Sequence, residues 1–282
     1  MRTETFAVPG ATLYYEVRGS GPVLLLLPGS GGDAGIFDPI ADTLAQHFTV
    51  VAADPRGYSR SVLDDPEPVD QRVEVFSDDA HRLLEHLTPA GEYAYVAGIS
   101  GGAVVALDLL ARHPERLRLV LAHEPPCFAI LPDADAHRAM VEEVVELFYE
   151  QGPAAAGGRF MQAVGVTSKP LPDPAEVPSR TAEMLGRLMA NTQVMFAHEL
   201  RQITAYRPDT TALAAVRDRL VLAAGRETRG QLPYRTAETI ASQLQHPLVE
   251  FPGGHSGVRE TPTEFARTLL ETLTASVTAT DR

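Results

Sequence analysis

Cysteine and positive charge are scarce in this sequence. A single cysteine among 282 residues, Cys127, excludes an intrachain disulfide and a metal cluster built from several cysteines. Asp and Glu outnumber Lys and Arg by 37 to 24, and no basic stretch interrupts the acidity. Electrostatic binding to nucleic acid or to an anionic lipid surface is therefore not expected. No cluster of residues in the sequence implies a metal or an organic cofactor.

Long apolar runs are also missing. The longest aliphatic run, VLLLL at 23–27, ends at Pro28, and segment 1–17 has no apolar core of signal-peptide length. A bilayer crossing needs about 20 consecutive apolar residues. Together with the single cysteine, these absences predict a cytoplasmic protein without a membrane partner. A hydrophobic content of 44% suffices for one large core, or for a core with an appended lobe.

Strand-like and helix-like segments alternate along most of the chain. Segments 3–8 and 12–18, separated by a Pro-Gly pair, predict an antiparallel hairpin. Six continuous apolar runs follow, which suit strands covered on both faces: 23–27, 48–53, 93–98, 117–122, 220–224 and 248–251. Helix-period segments lie between them at 37–47, 73–87, 102–113 and 236–245. The pattern predicts an α/β fold with a mostly parallel central sheet and helices on both faces.

One long interval breaks this alternation. No strand-like run occurs at 125–208, where segments 136–149 and 182–206 carry apolar residues at helical spacing around a proline-rich breaker at 169–178. The interval predicts a helical insertion after the sixth predicted strand. We therefore expect a core domain at 1–128 and 209–282, with a helical lid at 129–208. The polar end after Leu273 is expected to fray.

A serine among glycines follows the predicted strand at 93–98. Residues 98–102 read Gly-Ile-Ser-Gly-Gly, which fits the pattern G-x-S-x-G. Because glycine loses the most backbone entropy on ordering, such a cluster marks a need for unusual backbone geometry. In a sharp strand-to-helix turn, the glycines allow close approach and the serine hydroxyl stands at the carboxyl end of the strand. We therefore interpret Ser100 as a nucleophile rather than as part of an incidental glycine-rich turn.

A serine nucleophile needs a base to take its proton. His255, in the glycine-flanked segment FPGGHSG after the last predicted strand, is the best placed of nine histidines. Carboxyl ends of parallel strands converge on one crevice, so His255 can meet Ser100 despite their separation in sequence. The oxyanion formed on attack needs two preorganised donors. We expect them to be the backbone N–H groups of Gly101, next to the nucleophile, and of Ser30, in the glycine-rich loop after strand 23–27.

Four motifs carry a family resemblance. The segments LLLLPGSGGDAGIFDPI, VAADPRGYSRS, VAGISGGAV and FPGGHSG, in this order, resemble those of the α/β hydrolase superfamily across essentially the whole chain. The resemblance implies an α/β-hydrolase fold. The family usually begins its oxyanion loop with His-Gly, whereas this chain has Pro28-Gly29, a change that leaves the backbone donors intact. Asp54 and Arg56 are interpreted as residues that tie loops together.

The carboxylate that should orient the imidazole is out of its usual place. In most family members an aspartate stands three residues past a glycine after the strand predicted here at 220–224, but this chain has Thr228 there and Glu227 one residue earlier. Some relatives, including zearalenone lactonase-like hydrolases, carry the acid after the preceding strand, where this chain reads His-Glu-Pro-Pro at 123–126. The resemblance therefore favours Glu124, with Glu227 as the alternative.

A serine nucleophile excludes the aspartyl-ester mechanism of dehalogenases and epoxide hydrolases, which leaves serine acyl transfer. The expected substrate is a small molecule, a medium-sized and largely apolar ester or lactone such as zearalenone. A carbon-carbon bond hydrolase, a cofactor-free perhydrolase and a non-enzymatic ligand receptor on the same scaffold are the alternatives. The oligomeric state is not readable from the sequence. Expected substrate contacts are Gly29, Ile99, Met161, Leu188, Met195 and His198.

Overall fold

The structure is a computed structural model that describes residues 1–65, 67, 69–166 and 171–275. Within these ranges nine strands form one sheet, in the order β1-β2-β4-β3-β6-β7-β8-β9, with β5 paired to β2. The first two strands and β5 pair antiparallel, whereas the strands from β4 to β9 along the sheet pair in parallel. The strands are β1 Arg2–Val8, β2 Ala11–Arg18, β3 Val23–Leu27, β4 Thr49–Ala53, β5 Val62–Leu63, β6 Ala94–Ile99, β7 Leu117–His123, β8 Leu220–Gly225 and β9 Leu248–Phe251.

Both faces of the parallel part of the sheet are covered, which explains its unbroken apolar runs. Successive side chains of a strand point to opposite faces, so Leu24 and Leu26 of β3 pack on one side while Leu25 and Leu27 pack on the other. Helices α2 Val73–Leu87, α3 Gly101–Arg112 and α9 Leu232–Leu244 cover one face. Helices α1 Asp38–Leu44, α10 Gly257–Glu260 and α11 Pro262–Ala275 lie on the opposite face. The predicted mostly parallel sheet with helices on both faces is confirmed.

The chain between β7 and β8 is helical in its described part. Its helices are α4 Ala134–Gln151, α5 Pro153–Val164, α6 Ser179–Val194, α7 Leu200–Ala205 and α8 Thr210–Ala215, with a π-helical segment Met195–Glu199 between α6 and α7. Apolar residues of α4, α5 and the π-helical segment form a separate core of their own, which includes Val144, Val145 and Phe196. We call residues 129–208, the range predicted as a lid, the lid segment. Helix α8 packs instead on the main core through Leu213.

Ion pairs hold α6 against the first part of the chain. Arg180 Nε lies 2.6 Å from Asp38 Oδ2, and Arg187 Nε lies 2.6 Å from Asp33 Oδ2. Asp33 is fully buried, so its charge is compensated by Arg187 rather than by water. Helix α6 is thereby placed above the carboxyl ends of β3 and β6, where the predicted site lies.

Some elements differ from the sequence prediction. The two-residue strand β5 was not predicted, so the insertion predicted after the sixth strand follows β7 in this numbering. Helices α5 and α11 were also missed, and α9 begins at Leu232 rather than at 236. The first two residues of the predicted breaker at 169–178, and the chain end from 276 where fraying is predicted, lie outside the described residues. No helix within the described ranges has the length and hydropathy needed to cross a membrane.

Candidate active site

Ser100 stands at a sharp turn between β6 and α3. Its backbone has φ +51° and ψ −122°, a conformation that residues with a side chain rarely adopt. The Ser100 N–H donates to the carbonyl of His123 at 2.9 Å, which fixes the turn against the end of β7. Strained backbone of this kind costs about 1–3 kcal/mol and persists only where the surrounding structure holds it. The turn leaves the Ser100 side chain partly exposed at the carboxyl edge of the sheet.

The glycines on either side make this turn sterically possible. A Cβ at Gly98 would lie 2.2 Å from the carbonyl oxygen of Gly102, and a Cβ at Gly102 would lie 2.3 Å from the carbonyl oxygen of Leu27. Both obstacles are backbone atoms, which cannot rotate away as a flexible side chain would. The G-x-S-x-G pattern therefore reflects the close approach of α3 to β6 and β3.

His255 lies in the loop between β9 and α10 and reaches back to the serine. Its Nε2 is 3.0 Å from Ser100 Oγ, and its Nδ1 is 2.6 Å from Glu124 Oε2. An ionised carboxylate can only accept hydrogen bonds, so the imidazole proton belongs on Nδ1 and the Nε2 lone pair faces the serine hydroxyl. The structure thus brings the three predicted side chains into one hydrogen-bonded row.

Glu124 is the fully buried member of this row. It follows β7 directly with φ +50°, and its N–H donates to the carbonyl of Ala223 at 2.9 Å. Its Oε1 accepts from the Gly225 N–H at 2.9 Å and from the Thr228 hydroxyl. Burial by itself raises the pKa of Glu124, but the hydrogen bond from His255, the neighbouring imidazoles and the Thr228 hydroxyl outweigh it and lower the pKa to about 2. The carboxylate is therefore ionised at neutral pH.

The alternative acid, Glu227, lies elsewhere. It is exposed on the loop after β8, and its backbone N–H donates to the carbonyl of Gly253. Thr228, which occupies the position of the usual family acid, is buried and donates to Glu124. In the sequence, Thr228 stands out only as a residue that cannot carry charge. In the structure its hydroxyl donates a hydrogen bond to the Glu124 carboxylate.

The two predicted oxyanion donors lie side by side. Gly101 is the first residue of α3, and the first N–H groups of a helix have no acceptor within it. A Cβ at Gly101 would lie 3.0 Å from the backbone nitrogen of Ser30. Residues 28–32, which we call the glycine loop, are closed by a hydrogen bond from Gly32 N–H to the Gly29 carbonyl at 2.8 Å. The backbone nitrogens of Ser30 and Gly101 thus border the same end of the Ser100 turn.

A cavity of about 480 Å³ opens above Ser100 and His255. Its walls come from the glycine loop, the segment that precedes α1, helix α6 and the His255 loop. Most of the wall is apolar, whereas several polar groups stand around it. The lining residues are Gly29, Ser30, Gly31, Gly32, Gly35, Ile36, Asp38, Pro39, Ile99, Ser100, Leu171, Pro172, Thr181, Met184, Leu185, Leu188, Thr192, Met195, His255, Ser256, Val258 and Arg259.

The predicted substrate contacts divide into two groups. Four of them line this cavity: Gly29, Ile99, Leu188 and Met195. Met161 does not, because it packs against the separate core of the lid segment. His198 does not either, because it turns toward the segment that precedes α2: its Nδ1 lies 3.5 Å from Asp70 Oδ1 and its carbonyl accepts from the Gln71 N–H. The structure therefore does not bring Met161 and His198 to the walls of this cavity.

The loop-tying role expected for Asp54 and Arg56 matches their contacts. Asp54 accepts from the Ala34 N–H at 2.9 Å and from Arg60, and Arg56 pairs with Asp79. Within the described ranges no group of three or more His, Cys, Asp or Glu side chains has the arrangement needed to hold a metal ion.

Comparison with known proteins identifies the family of the chain. The chain matches the family described as alpha/beta hydrolase fold over residues 22–258. The uncharacterised hydrolase YraK of Bacillus subtilis (strain 168) is 37% identical over 273 residues, which cover 95% of each protein. A zearalenone hydrolase of Bionectria ochroleuca is 35% identical over 130 residues, 45% of this chain and 48% of that protein.

Among solved structures, a thermophilic esterase from Thermogutta terrifontis, with malate bound, has the same fold. It superposes with a TM-score of 0.73 at 21% identity, covering 98% of this chain and 99% of the other. The family match spans the strands and loops that supply Ser100, Glu124 and His255. The chain therefore belongs to the alpha/beta hydrolase fold family.

Proposed function

We propose that this α/β hydrolase cleaves a carboxylic ester or lactone through Ser100, His255 and Glu124. The observation that carries the proposal is the hydrogen-bonded row in which His255 Nε2 lies 3.0 Å from Ser100 Oγ while Nδ1 lies 2.6 Å from Glu124 Oε2. These distances fit a nucleophile, its base and the group that orients the base.

The reaction follows from where each proton can go. Ser100 Oγ attacks the carbonyl carbon while its proton passes to His255 Nε2, and the Glu124 carboxylate stabilises the resulting imidazolium. The negative charge that develops on the carbonyl oxygen is stabilised by the N–H groups of Ser30 and Gly101. His255 then protonates the leaving alcohol, and water repeats the same steps on the acyl-enzyme.

The nucleophile favours esters over epoxides. A serine hydroxyl that opens an epoxide forms an ether, which water does not hydrolyse, so the enzyme would be blocked after one turnover. An aspartate nucleophile forms an ester in the same step, and water can hydrolyse that ester. Ser100 therefore suits substrates that already contain an acyl group.

The cavity supports a medium-sized, largely apolar substrate. Its volume of about 480 Å³ lies within the range of small-molecule sites, and Ile36, Leu185, Leu188 and Met195 give it apolar walls. Similarity to a zearalenone hydrolase over about half of that protein supports a lactone, and zearalenone itself is one compound to test.

An active-site-directed fluorophosphonate tests the proposal. We expect mass spectrometry to find one adduct, on Ser100, in the folded protein and none in Ser100→Ala. Ser242→Ala, which removes an exposed serine of α9, is the matched control and should label like the wild type. Absence of an adduct on Ser100 in folded protein would contradict the proposed nucleophile and favour a ligand receptor.

Hydrolysis rates then define the bond that is cleaved. Aryl esters, macrolactones that include zearalenone, and vinylogous diketones are compared at equal concentration. Higher kcat/KM for the esters or lactones supports the proposal, whereas turnover of the diketones alone would indicate a carbon-carbon bond hydrolase with the same three residues.

A further inference from the structure

A buried carboxylate of the lid segment lies next to the glycine loop. Glu199, the last residue of the π-helical segment, is 4% exposed. It accepts a hydrogen bond from the Tyr58 hydroxyl. Its Oε1 and the Ser30 Oγ lie 3.4 and 2.4 Å from the position that a Cβ on Gly101 would take, so the carboxylate stands beside the glycine loop. Burial raises the pKa of Glu199, and the nearby Tyr58 hydroxyl, Ser30 hydroxyl and Gly31 N–H oppose that rise. Burying a charged carboxylate is costly unless donors replace the lost water, and three donors meet that need here.

The π-helical segment explains how the carboxylate arrives there. Such segments carry one extra residue per turn and occur often at functional sites. Met195, at its start, lines the cavity, and its Sδ lies 3.1 Å from the position that a Cβ on Gly31 would take. Glu199, at its end, lies where the Gly31 N–H stabilises its charge. Both ends of the segment therefore face the same residue of the glycine loop.

These bonds restrict the conformation of Ser30. The Glu199 carboxylate lies beside the Ser30 side chain and attracts both the Ser30 hydroxyl and the backbone N–H that follows Ser30. Asn191 of α6 adds a third tie, since its Nδ2 donates to the Gly31 carbonyl at 2.9 Å. With these groups held, the direction of the Ser30 backbone N–H is set by contacts from the lid segment.

We propose that Glu199 is a positioning residue that aims the Ser30 N–H at the carbonyl oxygen of a bound substrate. The inference rests on the proposed function, because it needs an acyl-transfer reaction with an oxyanion. Glu199 touches the glycine loop rather than the reacting atoms, so it acts through Ser30. The lid segment then has two roles: it walls the cavity through Met195 and completes the oxyanion site through Glu199.

Kinetics of Glu199→Ala and Glu199→Gln test this role. Removing one oxyanion donor typically lowers kcat about 10²–10³-fold, so misaiming one should lower kcat about 10–100-fold with KM changed less than about threefold. Glu142→Gln is the matched control, because it removes the charge of a half-exposed lid carboxylate that pairs with Arg201 away from the cavity. This control should keep wild-type kcat.

The affinity for an aryl trifluoromethyl ketone is a second measurement, and it would not change if Glu199 only stabilised the fold. Ser100 Oγ adds to its carbonyl carbon, the C=O electron pair moves onto the oxygen, and the serine proton passes to His255. The resulting oxyanion occupies the position of the reaction's own oxyanion. We expect the Glu199 variants to lose affinity for this ketone by the same factor as kcat/KM.

Ser30→Ala provides an independent test, because it keeps the backbone N–H and removes only the hydroxyl that Glu199 holds. We expect it to lower kcat about 5–10-fold, and the double variant with Glu199→Ala to fall little below Glu199→Ala alone. Glu199→Gln keeps the side-chain volume, so it and Ser30→Ala decide the matter if Glu199→Ala does not fold.

The outcomes separate the two proposals. A wild-type protein that hydrolyses no ester and takes no fluorophosphonate contradicts the proposed function. An active wild type whose Glu199→Gln and Ser30→Ala variants keep its kcat and its ketone affinity overturns the positioning role alone. A loss of kcat with unchanged ketone affinity overturns it as well, since the oxyanion site would then be intact.

Discussion

Replacing Glu124 by glutamine isolates the effect of one buried charge on the row of Ser100 and His255. The amide fits the same space, and its oxygen can still accept from the Gly225 N–H and the Thr228 hydroxyl. Its NH₂ group then faces His255 Nδ1. Because an NH₂ group can only donate, the imidazole must present its lone pair at Nδ1 and carry its proton on Nε2, toward the serine. In that tautomer His255 cannot accept the Ser100 proton.

The structure sets the size of the effect. The neighbours of Glu124 lower its pKa from 4.5 to about 2, which corresponds to a net preference of about 3 kcal/mol for the charged carboxylate. An interaction of that order between the carboxylate and the imidazolium formed during the reaction would, when lost, slow catalysis about 10²-fold. The wrong tautomer adds to this loss, and similar substitutions in serine proteases lower kcat about 10⁴-fold. We therefore expect kcat of Glu124→Gln to fall by about 10²–10⁴-fold.

Initial rates with an aryl ester measure the change, with circular dichroism and thermal unfolding to show that the variant folds. Glu227→Gln is the matched control, because Glu227 is an exposed glutamate on the neighbouring loop, and its kcat should stay within about twofold of wild type. The reasoning is refuted if Glu227→Gln loses several orders of magnitude while Glu124→Gln remains active.

Three further predictions concern stability and reactivity. Because the folded-state pKa of Glu124 is lowered to about 2, its contribution to stability is complete above pH 4.5 and is lost as the pH falls toward 2. Between pH 5 and pH 3, the free energy of unfolding measured in urea should therefore fall by about 2 kcal/mol more for the wild type than for Glu124→Gln. Equal losses would contradict the lowered pKa. Gly98→Ala should lower the free energy of unfolding by about 3 kcal/mol, because its Cβ would lie 2.2 Å from a backbone oxygen. Gly158→Ala, in open space on α5, is the control and should raise the free energy of unfolding by about 0.5–1 kcal/mol. Unchanged stability of Gly98→Ala would show that the turn relaxes. Burial raises the pKa of the Cys127 thiol, so Ellman's reagent should react with it only after denaturation, and fast labelling of the folded protein would contradict that burial.

The parts of the fold that could be predicted from the sequence are those set by local constraints. Runs such as VLLLL at 23–27 must be covered on both faces, which indicates a parallel sheet whatever surrounds them. Gly98 and Gly102 flank Ser100 because the helix approaches the strand too closely for side chains, so the turn is visible in the sequence. His255 follows from the convergence of strand ends on one crevice.

The contacts of the lid segment were harder to predict because they depend on how helices face one another. Met161 has the apolar character of a pocket residue, but α4 and the π-helical segment offer it a core of their own. The extra residue of the π-helical segment changes the helical register, so the 3.6-residue period used for 182–206 does not assign its faces. His198 was therefore expected in the cavity, and Glu199 was not recognised.

The sequence narrows the acid to two glutamates, but the residues alone do not decide between them. Glu124 and Glu227 both follow strands whose carboxyl ends meet at the site. What separates them is the backbone after each strand: Glu124 has φ +50° and turns inward, whereas Glu227 lies in a 3₁₀ turn that leaves it exposed. No composition or spacing rule encodes that difference.

The position of Glu124 has a consequence for protein engineering. The residue that contacts the imidazole stands at the stem from which the lid segment departs, so a chimera that exchanges the lid segment to change substrate range must keep residues 123–128 from this chain. The loop after β8 has Thr228 at the position of the family's usual acid, where its hydroxyl donates to Glu124, and the neighbouring Glu227 is exposed. Peptide tags or reporter domains are therefore better tolerated around Arg229 and Gly230 than anywhere near the stem.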